Sequence, residues 1–131
     1  MCLVSVVVDT SVWVEYLRGS AAREVDVLLN DGLVLLAPLV AAELLSAPLS
    51  RTERRDLIAL LESLPFHPTP AAHWFSVGEL RSRLHRSGLS VSTPDAHVAQ
   101  CALDAGALLW SHDAIFHRIS KPAGLRLFGA G

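Results

Sequence analysis

Hydrophobic and polar positions alternate along this chain in short blocks whose period keeps changing. Leu3 to Val8 is a Val-rich apolar run of strand length. Ser11 to Leu17 reads as a short helix stopped by Gly19, and Ala21 to Leu29 as a second, ended by Asn30-Asp31-Gly32. Leu33 to Leu36 is a short buried strand. Pro38 suits a first helical turn, so Leu39 to Ser46 reads as a helix, closed by Pro48. Ser50-Arg51-Thr52-Glu53 has the capping-box pattern and opens a helix over Arg54 to Leu64. Phe66-His67, bracketed by Pro65, Pro68 and Pro70, is a poor, edge-like strand. Ala71 to Arg86 is a long amphipathic helix ending at Gly88. Thr93-Pro94 begins another, which runs to Ala105 and stops at Gly106. Ala107 to Trp110 is a strand, Asp113 to Ile119 a short helix and Leu125 to Phe128 a last edge strand.

Short strands that are apolar throughout, separated by helices, predict a parallel sheet covered on both faces. The expectation is a three-layer α/β fold with a short parallel sheet of four to five strands flanked by helices. A length of 131 residues favours one domain over 1–131. Folds of this kind place their working residues at the carboxyl ends of the strands.

Composition sharpens the picture in two ways. Hydrophobic residues make up 51% of the chain, with mean hydropathy +0.40, which implies either a large core or apolar surface that a partner covers. The most apolar stretch, Leu33 to Leu45, is interrupted by Pro38 and Glu43 and falls short of the roughly 20 residues a membrane span needs. Met1 to Val8 is too short for a signal peptide and carries no Lys or Arg. The expectation is a cytoplasmic protein with Cys2 and Cys101 as free thiols. A net charge of -2 excludes a chain that is a basic nucleic-acid binder as a whole. Setting aside Asp9, Glu43, Asp95 and Asp113 leaves nine acids against eleven bases, so the acid excess resides in those four.

Each of the four stands in a place that a cation site would use, and each has a structural alternative. Asp9 follows Ser5-Val6-Val7-Val8 at the carboxyl end of the first strand, where it could equally cap the next helix. Glu43 lies among Leu39-Val40-Ala41-Ala42 and Leu44-Leu45, which predicts a largely buried helix. A buried lone carboxylate is costly. No Lys or Arg lies between Arg23 and Arg51, so a metal or a distant Arg must compensate, or the helix rim must reach water. Asp95 falls in a first helical turn, where it also complements the helix dipole. Asp113 follows Leu108-Leu109-Trp110 and the turn Ser111-His112, and could cap Ala114 to Ile119. Clustered carboxylates stay ionised together when a cation neutralises them, and an all-oxygen set selects Mg²⁺ or Mn²⁺ over zinc. The chemistry this predicts is hydrolysis of a phosphodiester by a metal-activated water.

Val7-Val8-Asp9-Thr10-Ser11-Val12-Trp13, Glu43-Leu44-Leu45, Thr93-Pro94-Asp95-Ala96-His97-Val98-Ala99 and Leu108-Leu109-Trp110-Ser111-His112-Asp113 resemble the successive motifs of the PIN domain, in order and over nearly the whole chain. The similarity is greatest to the VapC toxins of bacterial toxin–antitoxin pairs. It implies a Mg²⁺-dependent endoribonuclease, homodimeric, held by a VapB-type antitoxin and touching DNA only through that antitoxin. It further implies metal-site and catalytic roles for Asp9, Glu43, Asp95 and Asp113, supporting hydroxyls at Thr10, Ser11 and Ser111, and products with 5′-phosphate and 3′-hydroxyl ends. One departure stands out. Relatives often carry a second acid two places after the last Asp, but here the run is Asp113-Ala114-Ile115-Phe116, which weakens the case for a second metal.

Other chemistries fit less well. None of the six histidines forms the paired spacing of a helical zinc site. Ser11 and Ser92 lack a nucleophile-elbow setting, and there is no phosphate-binding Gly-rich loop. A phosphate-accepting receiver domain would need an adjacent acidic pair after the first strand. A PIN-like module that acts by holding an antitoxin as co-repressor is the alternative to the enzyme. RNA contacts would come from Arg81, Arg83 and Arg86 with His85, or from Arg51, Arg54 and Arg55, although either group also reads as a solvated helix face. Trp13 and Tyr16 read as core packing, and His112 as a surface residue.

Overall fold

In the computed structural model, residues 4–20 and 22–129 are described; Cys2 and Leu3 lie outside them. The Val-rich run forms β1 (Val6–Val8), followed by α1 (Thr10–Leu17) and α2 (Ala22–Asn30). Then come β2 (Val34–Leu35), α3 (Pro38–Leu45), α4 (Arg51–Glu62), α5 (Ala71–Arg86) and α6 (Thr93–Ala105). The chain closes with β3 (Leu108–Trp110) and α7 (Ile115–Ala123).

The sheet runs β2-β1-β3, and all pairings are parallel. Val6 faces Val34 on one side and Leu108 on the other, and Val8 faces Trp110. Successive strand residues point to opposite faces, yet Val6, Val7 and Val8 are all buried, so helices cover both faces as the apolar pattern predicts. The sheet has three strands rather than four to five. Both expected outer strands shrink to single parallel bridges, Phe66 with Leu36 and Leu127 with Leu109. Pro65 and Pro68 have no N–H to donate, so the first of these keeps two bonds: Leu36 N–H to Pro65 O and His67 N–H to Leu36 O, both 2.9 Å.

Helix ends follow the caps. The Ser50–Glu53 capping box is complete, and it starts α4 at Arg51, three residues before the expected Arg54. α7 begins two residues later than expected, because Asp113 stays outside and its Oδ1 accepts the Ile115 N–H at 3.0 Å. It then runs past Ile119 and through Pro122 to a left-handed Gly124, φ 70°. Gly106, φ 63°, turns the chain from α6 into β3, a conformation costly for any residue with a Cβ.

Trp13 is fully buried and packs edge-on to Tyr16, whose hydroxyl donates to Asp26 Oδ1 at 2.6 Å and ties α1 to α2. α6 packs against β1, β3, α3 and α5. Between α5 and α6 the core turns polar. His73 and His97 are 3% and 0% exposed, with His73 Nε2 2.8 Å from His97 Nδ1. His97 Nε2 accepts the Leu39 N–H at 3.3 Å, so its Nδ1 carries the hydrogen and donates to His73. Trp74 stacks on the His97 ring, centroids 4.9 Å apart. Burial, and then the neighbouring His73 and His67, push His97 down to about 4.

A histidine that resists protonation only when folded makes the unfolded chain bind the extra proton. Stability that is full above pH ~6.5 is therefore lost as pH falls toward 4, at about 1.4 kcal/mol per pH unit. Urea midpoints measured from pH 7 to pH 4 should fall over that window. His97→Gln should flatten the fall, and an equal slope in the variant would show that His97 does not cause it.

Candidate functional site

All three strands are parallel, so their carboxyl ends lie at one edge of the sheet. Chain leaves β1 toward β2, whereas from β3 it leaves outward toward Leu127, so the crevice between the two exits is a topological switch point. Asp9 stands at that point. Its N–H donates to Trp110 O at 2.8 Å, which extends the β1–β3 ladder by one rung. Asp9 is 7% exposed and occupies the N-cap position of α1, but its side chain makes no capping bond. Instead Oδ2 accepts hydrogen bonds from Ser11 Oγ at 3.0 Å and Ser111 Oγ at 2.7 Å. Each serine oxygen also accepts a backbone N–H, Ser11 from His112 at 3.0 Å and Ser111 from Asp113 at 2.9 Å. The capping alternative for Asp9 therefore fails, and its carboxylate is held by the two serines instead.

Glu43 corrects one expectation. It is exposed, not buried. The buried stripe of α3 is Val40, Ala41 and Leu44; Ala42 and Glu43 lie beyond it, so the rim of the helix reaches water. Thr10 Oγ1 donates to Glu43 Oε1 at 2.8 Å and turns the carboxylate toward the start of α1. Asp95, half-buried in the first turn of α6, has its N–H held by Ser92 Oγ at 3.2 Å. Burial raises its carboxyl, the Ser92 bond opposes this, and the charges of Asp113, Asp9 and Glu43 raise it further. Three carboxylates acting on a fourth place all four in one electrostatic neighbourhood. Asp113 is exposed and does part of the capping work that its alternative reading proposed, through the Ile115 N–H.

Among the described residues, no Lys or Arg pairs with any of these four acids. The distant-Arg alternative for Glu43 is thereby excluded. The bases serve backbone carbonyls instead. Arg54 donates to Leu45 O at 3.0 Å and Ala47 O at 3.4 Å, which caps the helix that carries Glu43. Arg55 pairs with its neighbour Asp56. Arg81 Nε donates to Val91 O at 2.8 Å and holds the connection that leads into α6. Arg83 and Arg86 are exposed in the last turn of α5. His112 is exposed and pairs with Glu15. Ser92 is the contributor that the sequence reading missed, although Ser-x-x-Asp before an apolar run is a capping signal.

The four carboxylates stand more loosely than a closed metal cage. Among the described residues, a different group, His67, His73 and Cys101, brings its ligand atoms within 4.8 Å of one another. A loose all-oxygen set with neutral hydroxyl donors suits a hard cation that keeps part of its water shell. No helix among the described residues is long and apolar enough to cross a membrane.

Comparison with known proteins agrees with this architecture. Residues 6–122 match the PIN domain. Ribonuclease VapC32 of Mycobacterium tuberculosis is 34% identical over 124 residues, spanning 93% of this chain and 95% of its own length. Ribonuclease VapC11 of the same organism is 30% identical over 128 residues, spanning 92% and 96%. VapBC2 from Rickettsia felis, solved bound to a DNA fragment from its promoter, superposes with TM-score 0.75 at 21% identity, covering 94% of this chain and 96% of that one. The solved structures speak for the fold and the sequence relatives for descent: this chain belongs to the PIN domain family, among its VapC-type members.

Proposed function

We propose that this protein is a metal-dependent endoribonuclease toxin, with Asp9, Glu43, Asp95 and Asp113 as its catalytic, metal-binding set. The observation that carries this reading is the buried Asp9 carboxylate, fixed by two neutral hydroxyls and paired with no base, beside three further acids. The relatives named as ribonucleases support RNA as substrate. Mg²⁺, with Mn²⁺ as substitute, bound among these carboxylates would polarise a phosphoryl oxygen and activate a water for attack on phosphorus.

The chain's own residues set the rest. Ser11 and Ser111 fix Asp9 Oδ2 and leave Oδ1 without a protein donor among the described residues. Thr10 aims Glu43, and Ser92 and Arg81 set the start of α6, where Asp95 stands. Arg83 and Arg86, in the turn that leads by Ser87–Ser92 to α6, would meet the RNA backbone, with Arg81 behind them. A VapB-type antitoxin is the proposed inhibitor, and DNA would be reached only through it. Solved structures of similar fold include VapBC assemblies bound to DNA. Leu17, Val27, Phe66 and Phe75 are about half exposed or more, apolar area that an antitoxin and a second copy in a homodimer would cover. We assign the whole chain to one domain that works in the cytoplasm.

Purified, antitoxin-free protein should cleave RNA with Mg²⁺ or Mn²⁺, stop on chelation, and leave 5′-phosphate ends. Asp9→Asn and Asp95→Asn should each lower cleavage by at least about 100-fold, an effect on the scale of losing a preorganised electrostatic contact. Circular dichroism should stay unchanged. Growth arrest that persists in Asp95→Asn would instead favour a module that acts by holding its antitoxin. Ser111→Ala removes the donor to Asp9 and the acceptor for Asp113 N–H, so it should destabilise the fold by about 1–3 kcal/mol and lower kcat more than it changes KM. Arg83→Glu with Arg86→Glu should raise KM, flatten its salt dependence and leave kcat nearly intact. An unchanged KM would place the RNA elsewhere.

A further inference from the structure

A second constellation of ligand atoms lies apart from the carboxylate edge. It joins the connector that carries His67, the first turn of α5 with His73, and the middle and end of α6 with Cys101 and Asp104. The possible ligand atoms of His67, His73 and Cys101 all lie within 4.8 Å of one another, and all three residues are buried. Asp104, exposed beside the two histidines, stands outside that mutually close group. Its Oδ2 is 3.5 Å from His73 Nδ1 and 3.9 Å from His67 Nε2, while its Oδ1 is occupied by Gln100 Nε2 at 2.8 Å. His73 Nδ1 is a fully buried polar atom with no hydrogen-bond partner, and it faces this space. Such an atom normally costs about 1–3 kcal/mol unless something binds it.

We propose that His67, His73 and Cys101 form a structural site for a zinc-like divalent cation, with Asp104 at its rim, separate from the carboxylate centre. Two imidazoles and a thiolate are a borderline-soft set, which selects zinc over magnesium and leaves a fourth position for water or the rim carboxylate. A tetrahedral zinc needs its ligand atoms roughly 3.3–3.8 Å apart, so side-chain shifts of about 1 Å close the group. His97 is the orienting partner. Without metal its Nδ1–H donates to His73 Nε2, and the thiol stays protonated, because burial and then Asp104 push Cys101 up to about 12. With metal on His73 Nδ1, the His73 proton sits on Nε2 and donates to His97 Nδ1. The His97 proton moves to Nε2, while Cys101 Sγ lies against the His97 ring, 3.6 Å from Nε2 and 4.0 Å from Nδ1. The long Leu39 bond is given up, and the thiol proton is the one released to solvent. The site clamps the connector and α5 onto α6, the helix that also carries Asp95. It does not depend on the ribonuclease reading.

The test uses full-length protein without a polyhistidine tag, stripped by chelation and titrated with Co²⁺. One equivalent should produce a thiolate-to-cobalt charge-transfer band that Zn²⁺ displaces, and Zn²⁺ alone should raise the unfolding temperature. Cys101→Ala should remove the band, while an Asp9→Asn/Asp95→Asn double variant should keep it. His67→Gln, on a connector rather than in a helix, should weaken Co²⁺ binding at least tenfold with unchanged circular dichroism, a check if Cys101→Ala perturbs the core. Absence of the band in folded wild-type protein would overturn the proposal, as would its survival in Cys101→Ala.

Discussion

The structure turns on one oxygen. Asp9 Oδ2 receives hydroxyls from Ser11, which follows β1, and from Ser111, which follows β3. Each hydroxyl in turn receives a backbone N–H from the β3 exit. Two strand ends are thereby joined into one hydrogen-bonded unit around a buried carboxylate. The parallel ladder makes this possible, since only parallel neighbours bring successive exits to the same edge. The positions of Asp113 and, through Thr10, of Glu43 follow from the same unit.

Using neutral donors for this task has an electrostatic meaning. A hydroxyl orients a carboxylate and leaves its charge in place, whereas an Arg would cancel it. The chain has ten Arg, and two of them serve carbonyls beside the helices that carry Glu43 and Asp95: Arg54 at the end of α3, Arg81 at Val91. The edge keeps its negative potential, visible in the upward push that Asp95 feels from the other three acids. Keeping like charges together is unfavourable, and a cation bound among them would offset that cost.

Much of the frame was legible in the sequence because it follows from local rules. The Val run before Asp9, the Ser50–Glu53 box, and Gly106 after α6 each have one dominant local outcome, and each formed as expected. What failed was burial inferred from neighbours. Ala42 counts as apolar in the pattern around Glu43, yet it is exposed in the fold, because a methyl group gains little from being covered. The outer strands were overread for a different reason: hydrophobicity marked Phe66 and Leu127 correctly, but ladder length depends on available N–H groups. The histidine–cysteine group was out of reach altogether. Its members come from a connector and two helices, and only tertiary packing brings them together.

The proline-flanked bridge at Phe66 shapes behaviour in a crowded solution. A protein with this much exposed apolar area, Phe75 at 74% and Phe66 at 50%, carries an aggregation hazard. Growth of β-aggregates needs a free, extended strand edge to copy. Here the edge beside β2 ends in a single rung between Pro65 and Pro68, with too few donors to template another chain. The exposed apolar surface therefore makes the chain sticky without offering an edge that seeds a fibre.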